Sequence, residues 1–382
     1  MTLPRIAIIG GGPGGLMLGR LLLLKKIPFT IFELESGPTK RSQGGSLDLH
    51  PETGQVAIEK AGLMNEFQLK SRPEGDCMKL VSWDGRVLLD EKQQKSFENY
   101  SRPEIDRIAL RDLMLKSLDL KHIIWGKKLQ KVEAVDDIYN LNFSDGTVEA
   151  GYDIVVGADG AWSKVRPLVT DIKPHYSSVT LIELTRNNVR AASPWLSDYV
   201  GEGSCSMFDE NRAVMAQRNG NDSVKVYVGL RKDETWSQNC GIDWSDKEHA
   251  RQRLIEVYFN DCHDDVKSMV LESKDELIVR PLYMLPIGIT WMHRKGITLI
   301  GDAAHLMTPF AGVGVNLALF DAWKLAESIE KSDKNYSKGI AHYEQRMFER
   351  SKEHAQETWN NLETFLGLNG GEKCLEFMTQ GH

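Results

Sequence analysis

The stretch Arg5-Ile-Ala-Ile-Ile-Gly10-Gly-Gly12-Pro-Gly-Gly15, running on into Leu16-Met17-Leu18-Gly19-Arg20-Leu21-Leu22-Leu23, decides the fold. Its first half is a short apolar run, the pattern of a parallel strand buried on both faces. Gly10, Gly12 and Gly15 then follow at the G-x-G-x-x-G spacing, and the residues behind them open as a helix. The glycines serve a tight turn, close approach of backbone to a pyrophosphate, and tight helix–strand packing. The helix N-terminus offers free N–H groups and a positive dipole end to phosphates. A second strand, Phe29-Thr30-Ile31-Phe32, ends in Glu33, 18 residues past Gly15. A carboxylate there accepts hydrogen bonds from the adenosine ribose and disfavours a 2′-phosphate. Glu35 is a neighbouring candidate, and Glu33 is preferred because it lies closer to the strand end.

Two later segments must converge on the same ligand. Asp153-Ile-Val-Val-Gly-Ala-Asp159-Gly160 places a carboxylate and a glycine at the end of a buried strand, where open α/β sheets bind ligands. Ile297–Ile300 is a further apolar strand, followed by Gly301-Asp302-Ala303-Ala304-His305 and then Pro309, Gly312, Gly314 and Asn316. Asp302 is placed to hold a ribityl hydroxyl. The glycines behind Pro309 let backbone N–H groups reach the pyrimidine edge of an isoalloxazine, next to a helix N-terminus that stabilises negative charge. Together the three segments imply FAD. Taken alone, Asp302 would read as a helix cap. His305 follows two small residues and reads as a packing or hydrogen-bonding residue rather than a base. Arg107 and Arg111 share a helix face at i, i+4. One of them would reach the flavin ribityl or phosphates, the alternative being solvated surface arginines. Arg41, beside the Gly44-Gly45 turn, would meet the flavin or an incoming nicotinamide cofactor.

Composition narrows the class. A chain of 382 residues is long for one core and implies two lobes. With 41% hydrophobic and 26% charged residues it is globular rather than disordered. The net charge of -7 gives no support to nucleic-acid binding or to a basic membrane surface. Cys77, Cys205, Cys240, Cys262 and Cys374 are scattered, with no C-x-x-C pair and no metal-ligand spacing, so no metal site is expected. They read as reduced thiols of a cytoplasmic protein. The first apolar run is already the nucleotide strand, and Leu16–Leu24 is too short to span a bilayer, so neither a signal peptide nor a membrane segment is expected.

The expected architecture is α/β: a discontinuous Rossmann-like FAD-binding fold with a β-sheet substrate domain. The FAD-binding parts are 1–72, 103–174 and 291–338. A short insert at 73–102, with a turn at Trp83-Asp84-Gly85-Arg86, joins the sheet domain at 175–290. A helical insert falls at Asp246–Asn260. The final segment, 339–382, carries a long helix from Gly339 to Phe365 that bridges the lobes.

The fingerprint, the Gly-Ala-Asp-Gly strand end and the Gly-Asp-Ala-Ala-His segment together resemble the group A FAD-dependent aromatic hydroxylases. Gly44-Gly-Ser-Leu-Asp48-Leu-His50, Pro103-Glu-Ile-Asp-Arg107, Ser163-Lys-Val-Arg166 and Gly301 to Gly312 are similar to the tetracycline-inactivating flavin monooxygenases. The resemblance spans nearly the full chain. It implies FAD contacts at Glu33, Asp48, Arg107 and Asp302 and a nicotinamide-linked role for Arg41. It implies NADPH as a transient reductant and O₂ as co-substrate, with a C4a-hydroperoxide of the flavin as oxidant. A small aromatic or polyketide substrate, tetracycline-type antibiotics first, would lie near Glu183, Met215, Gln217, Tyr227, Phe310 and Asn360. Asn360 matches a substrate-facing asparagine of that branch. No catalytic side chain is required, since the flavin carries the chemistry, and a monomer is expected. The chain departs from the branch at Leu34, Val313 and Glu183, so the cofactor chemistry transfers more firmly than the substrate. A biosynthetic or catabolic hydroxylase without tetracycline activity is the alternative.

Overall fold

The computed structural model describes residues 3–38, 44–93 and 101–379; Arg41 lies outside them. Ile6–Ile9 is buried at every position and sits in the middle of a five-stranded parallel sheet. Ile154–Gly157 pairs with it on one side and Phe29–Phe32 on the other, with Ile297–Leu299 and Ile123–Ile124 at the edges. Such a strand has no polar face to offer, which is why its sequence is a continuous aliphatic run. The chain returns by the helix Pro13–Leu24, whose Leu16, Met17, Leu18 and Leu22 are fully buried. Each of these side chains contributes about 1.5–3 kcal/mol of transfer free energy. This helix packs on the helix Gly314–Glu330. Gly14 faces Ala318 across this contact, where a Cβ would sit at ordinary van der Waals distance, 3.4 Å, from the Ala318 carbonyl oxygen.

A second sheet has seven strands in the order Glu276–Met284, His175–Arg186, Ser223–Arg231, Arg212–Asn219, Ser204–Asp209, Met78–Val81 and Val87–Asp90. It is antiparallel except where Ser204–Asp209 meets Met78–Val81. The insert near residue 80 therefore completes this sheet, turning at Trp83-Asp84-Gly85-Arg86. One face, with Ile182, Leu184, Val226 and Val228, is covered by short helices that include Lys247–Tyr258 and Asp264–Glu272. The opposite face carries Leu181, Ala213, Met215 and Tyr227.

The helix Tyr336–Phe365 holds the two halves together. At 30 residues it is about 45 Å long. Ile340, Tyr343 and Met347 join the core of the parallel sheet, while Leu362 and Phe365 join the cluster on the seven-stranded sheet. Polar pins fix its register. Tyr343 donates to the Leu299 carbonyl at 3.0 Å. Glu344, 1% exposed, accepts from Trp291 Nε1 at 3.1 Å and Thr298 Oγ1 at 2.9 Å and pairs with His293 at 2.7 Å.

Candidate active site

The glycine loop is as tight as its sequence demands. Gly10 has φ +107°, and a Cβ there would overlap the Ala158 carbonyl. A Cβ on Gly15 would overlap the carbonyl oxygen of Gly10. At Gly12 and Gly314, by contrast, a Cβ would meet nothing within 4 Å among the described residues. The helix behind Gly12 has no side-chain cap, which leaves its first N–H groups for a ligand. Glu33, 8% exposed, reaches back to the loop: one oxygen accepts from the Gly11 N–H and the other from the Glu35 N–H at 3.0 Å. Each carboxylate oxygen keeps a lone pair for a ribose hydroxyl. Glu35 is drawn elsewhere, to Arg111 at 3.7 Å.

Opposite the loop, the two later motifs are tied into one wall. Arg166 donates to the carbonyls of Ala161 at 2.9 Å, Asp302 at 3.1 Å and Ala303 at 2.8 Å. Asp302 opens the short helix Asp302–His305, accessible to solvent along the groove and crowded by protein on its other sides. That crowding pushes its carboxyl up, against the opposing fields of His305, Arg107 and Arg166. Asp159 takes the Lys164 N–H on one oxygen at 2.7 Å. Among the described residues its other oxygen is buried without a well-formed hydrogen bond, and burial raises the carboxyl against the Ser163 hydroxyl and nearby backbone N–H groups. An orphaned acceptor of this kind calls for a donor from a ligand or water. Asp48 closes the far end. It bonds His50 Nε2 at 2.8 Å and lies against Gly312, where a Cβ would approach one of its oxygens to 3.2 Å. Pro309, exposed on the same loop, accepts the Gly312 N–H at 3.2 Å.

Four further side chains of the motifs take definite positions. Asn316 does not reach into the groove. Its amide donates to the carbonyls of Asp48 at 3.0 Å and Gly312 at 3.2 Å, and its oxygen accepts the His50 N–H at 2.8 Å. It clasps the Asp48 strand to the Gly314 helix. Arg111 is buried rather than solvated: it donates to the Pro38 carbonyl, pairs with Glu35 and lies over the Trp125 ring. His305 is held by Asp321 at 2.6 Å, in the hydrogen-bonding role its small neighbours suggested. Arg107 is exposed, and its charge acts on both Asp302 and Tyr227.

Of the residues expected to meet substrate, Met215, Tyr227 and Phe310 pack with Leu282 and Trp359 as a half-buried apolar wall. Tyr227 and Gln217 stand directly over Gly45, where a Cβ would come within 2.7 Å of the phenol oxygen and 2.8 Å of Gln217 Oε1. Burial pushes the Tyr227 phenol up to about 12, helped by Glu183. Glu183 lies beside it with both oxygens taken, one by Lys225 and the other by Arg280 at 2.8 Å. Burial would raise its carboxyl, but these two cations outweigh it and hold it below its ordinary value. Asn360 is corrected. It is exposed on the outer side of its helix, accepting from Gln356 at 2.9 Å. Its neighbour Asn361, 6% exposed, is the one turned inward, donating to the Phe310 carbonyl at 3.1 Å. At 100° per residue, the buried positions Ala355, Thr358 and Leu362 leave position 360 on the opposite side.

The groove thus has uncapped N–H groups, an acid by the loop, an orphaned carboxylate oxygen and a second acid on the far wall. This donor set fits FAD. Among the described residues no group of histidine, cysteine and acidic residues is arranged to hold a metal ion, and no helix is long and apolar enough to cross a membrane. A discontinuous nucleotide fold with a covering sheet and this groove defines a flavin-dependent oxidoreductase. The FAD-binding domain model matches residues 4–358, and the chain belongs to that family. Monooxygenase penA of Penicillium thymicola is 30% identical, over 97% of each chain. HpxO of Klebsiella pneumoniae, solved with FAD and uric acid, superposes with TM-score 0.79 at 17% identity, over 99% of this chain and 92% of that one. The tetracycline destructase Tet(55) superposes with TM-score 0.75 at 17% identity, over 99% and 94%. The protein is an FAD-dependent monooxygenase.

Proposed function

We propose that the protein uses NADPH and O₂ to hydroxylate a planar aromatic or polyketide ring, with tetracycline-type antibiotics as the first substrates to test. The observation that carries this reading is the juxtaposition of two surfaces: the Asp302–Arg107 wall of the cofactor groove and the apolar wall of Met215, Tyr227 and Phe310. In this reading the N–H groups at Gly12–Gly15 bind the pyrophosphate, Glu33 the ribose, and Asp48, Arg107, Asp159 and Asp302 the ribityl and ring end. Bound FAD supplies the redox chemistry, accepting hydride and activating oxygen. The chain's own work is to hold the ring edge against the substrate wall and keep water out. With Phe310 on the turn beside Gly312, the apolar wall is built onto the cofactor loop itself.

A second reading is a biosynthetic or catabolic hydroxylase without tetracycline activity. The lower identity to the tetracycline destructase Tet(55), 17% against 30% for Monooxygenase penA, favours it. So do Glu183, whose oxygens are already paired, and Asn360, which faces away. NADPH consumption by the FAD-loaded protein, with and without tetracycline, tests the first reading alongside mass spectrometry of the drug. Faster consumption and a product about 16 Da heavier, one added oxygen, support it. Unchanged consumption with intact drug refutes it in favour of the second.

A further inference from the structure

Glu104 is a buried acid that the motifs leave without a role. It stands opposite Asp48 in the two-stranded ladder of Ser46–Asp48 with Glu104–Asp106. Directly opposed residues project to one face with Cβ atoms about 5 Å apart, so two carboxylates confront each other. Glu104 is 8% exposed, and Gly75 seals it so closely that a Cβ there would come within 2.7 Å of its side chain.

The described groups around it compensate its charge only in part. Gln217, on the seven-stranded sheet, donates to its two oxygens at 3.1 and 3.3 Å, and Ser46 adds a hydroxyl. Arg72 is nearby but spends its guanidinium on Ser46 at 3.1 Å, the Arg218 carbonyl at 3.0 Å and Asp106 at 3.8 Å. His50 is engaged with Asp48, while Arg107 acts on Asp302 and Tyr227. Burial is the main force pushing the Glu104 carboxyl up to about 7; Asp48 adds to it, and Ser46, Arg72 and Gln217 oppose it.

We propose that Glu104 is the proton-holding residue of the groove, taking a proton from solvent when negative charge is added to the ring of the flavin bound beside Asp48. This rests on the cofactor placement above. A hydride from a nicotinamide cofactor brings two electrons and one proton to the ring. The second proton passes from water to a Glu104 carboxylate oxygen and returns to water when the ring gives its electrons away. Added negative charge raises the affinity of a nearby carboxylate for protons, and a sealed pocket screens that effect weakly. Once protonated, Glu104 still accepts from Gln217 and offers its O–H to Asp48, so the contact between the two sheets survives both states.

The test is potentiometry of the full-length, FAD-loaded protein reduced with dithionite between about pH 6 and 9, wild type against Glu104→Gln. Above pH 7 the wild-type potential is expected to fall with pH about twice as steeply as that of the variant, one extra proton per electron pair. Equal slopes overturn the proposal. Should the variant fail to retain FAD, infrared difference spectra of wild type decide. Reduction is expected to create a protonated-carboxyl band that moves on ¹³C-glutamate labelling, and no such band overturns the proposal. Equal slopes in a yellow protein refute Glu104's role alone; a chain that takes up no FAD refutes the cofactor reading with it.

Discussion

Asp321→Asn is the substitution that most sharply connects packing to cofactor binding. Asp321 is fully buried in the helix Gly314–Glu330 and accepts from three places: Gly301 N–H at 3.1 Å, His305 Nε2 at 2.6 Å and Arg350 at 2.7 Å. Gly301 immediately precedes Asp302, and Arg350 comes from the long C-terminal helix. An asparagine has one acceptor oxygen, so it serves the Gly301 turn or Arg350 but not both. Removing one partner of a buried pair costs about 3–5 kcal/mol. Arg350 keeps 18% side-chain exposure, so the lower end, about 3 kcal/mol, applies. At about 2 °C per kcal/mol for a chain of this size, Tm falls roughly 6 °C. Loosening the Asp302 turn weakens FAD about tenfold, which reduces the FAD-induced rise in Tm by about 1.4 kcal/mol equivalent. Burial raises the Asp321 carboxyl, but His305, Arg350 and the Gly301 N–H hold it below its ordinary value. Its stabilisation is therefore present above the unfolded carboxylate pKa and lost as pH falls, so the gap between wild type and variant closes below about pH 4. Thermal unfolding with and without FAD measures all of this. A variant that melts within about 1 °C of wild type with an undiminished FAD response would show that Asp321 does not brace the Asp302 turn.

Other substitutions probe separate parts of the account. Gly15→Ala sets a methyl against the Gly10 carbonyl, at about 1–3 kcal/mol of strain or more, and should abolish FAD retention while far-ultraviolet circular dichroism stays near wild type. Asn360→Ala should alter stability by less than about 0.5 kcal/mol, whereas Asn361→Ala, freeing the Phe310 carbonyl, should cost about 1 kcal/mol and raise the substrate KM. Glu104 carries the opposite sign from Asp321. Its carboxyl, near 7 instead of 4.5, makes the folded state bind more protons than the unfolded one, so stability declines between those pH values. Chemical denaturation should show a loss of up to about 3 kcal/mol over that window in wild type and a flatter profile in Glu104→Gln.

Much of this architecture can be read from the chain. The aliphatic runs at Ile6–Ile9, Ile154–Gly157 and Ile297–Leu299 have no polar face, so they belong in a doubly covered parallel sheet, and that is where they lie. The glycines at 10 and 15 announce their contacts because any side chain there collides with backbone. Side-chain direction is harder. Asn360 and Asn361 differ by one residue and by 100° of helix phase, which polarity alone does not resolve. Asn316 keeps the right neighbourhood but spends its amide on backbone groups 268 and 4 residues away in sequence. Glu104 became visible only once strand register set it against Asp48. Asp321 did carry a signal, as an acid at i, i+4 between Leu317 and Leu325 on the buried stripe of its helix.

Three distant segments build one FAD site in this reading, and titration of apoprotein with FAD measures that site itself. The account predicts a yellow protein with one FAD per chain, and an affinity lowered about tenfold or more by Asp302→Ala in a folded variant. A well-folded wild-type chain that stays colourless in excess FAD would contradict it.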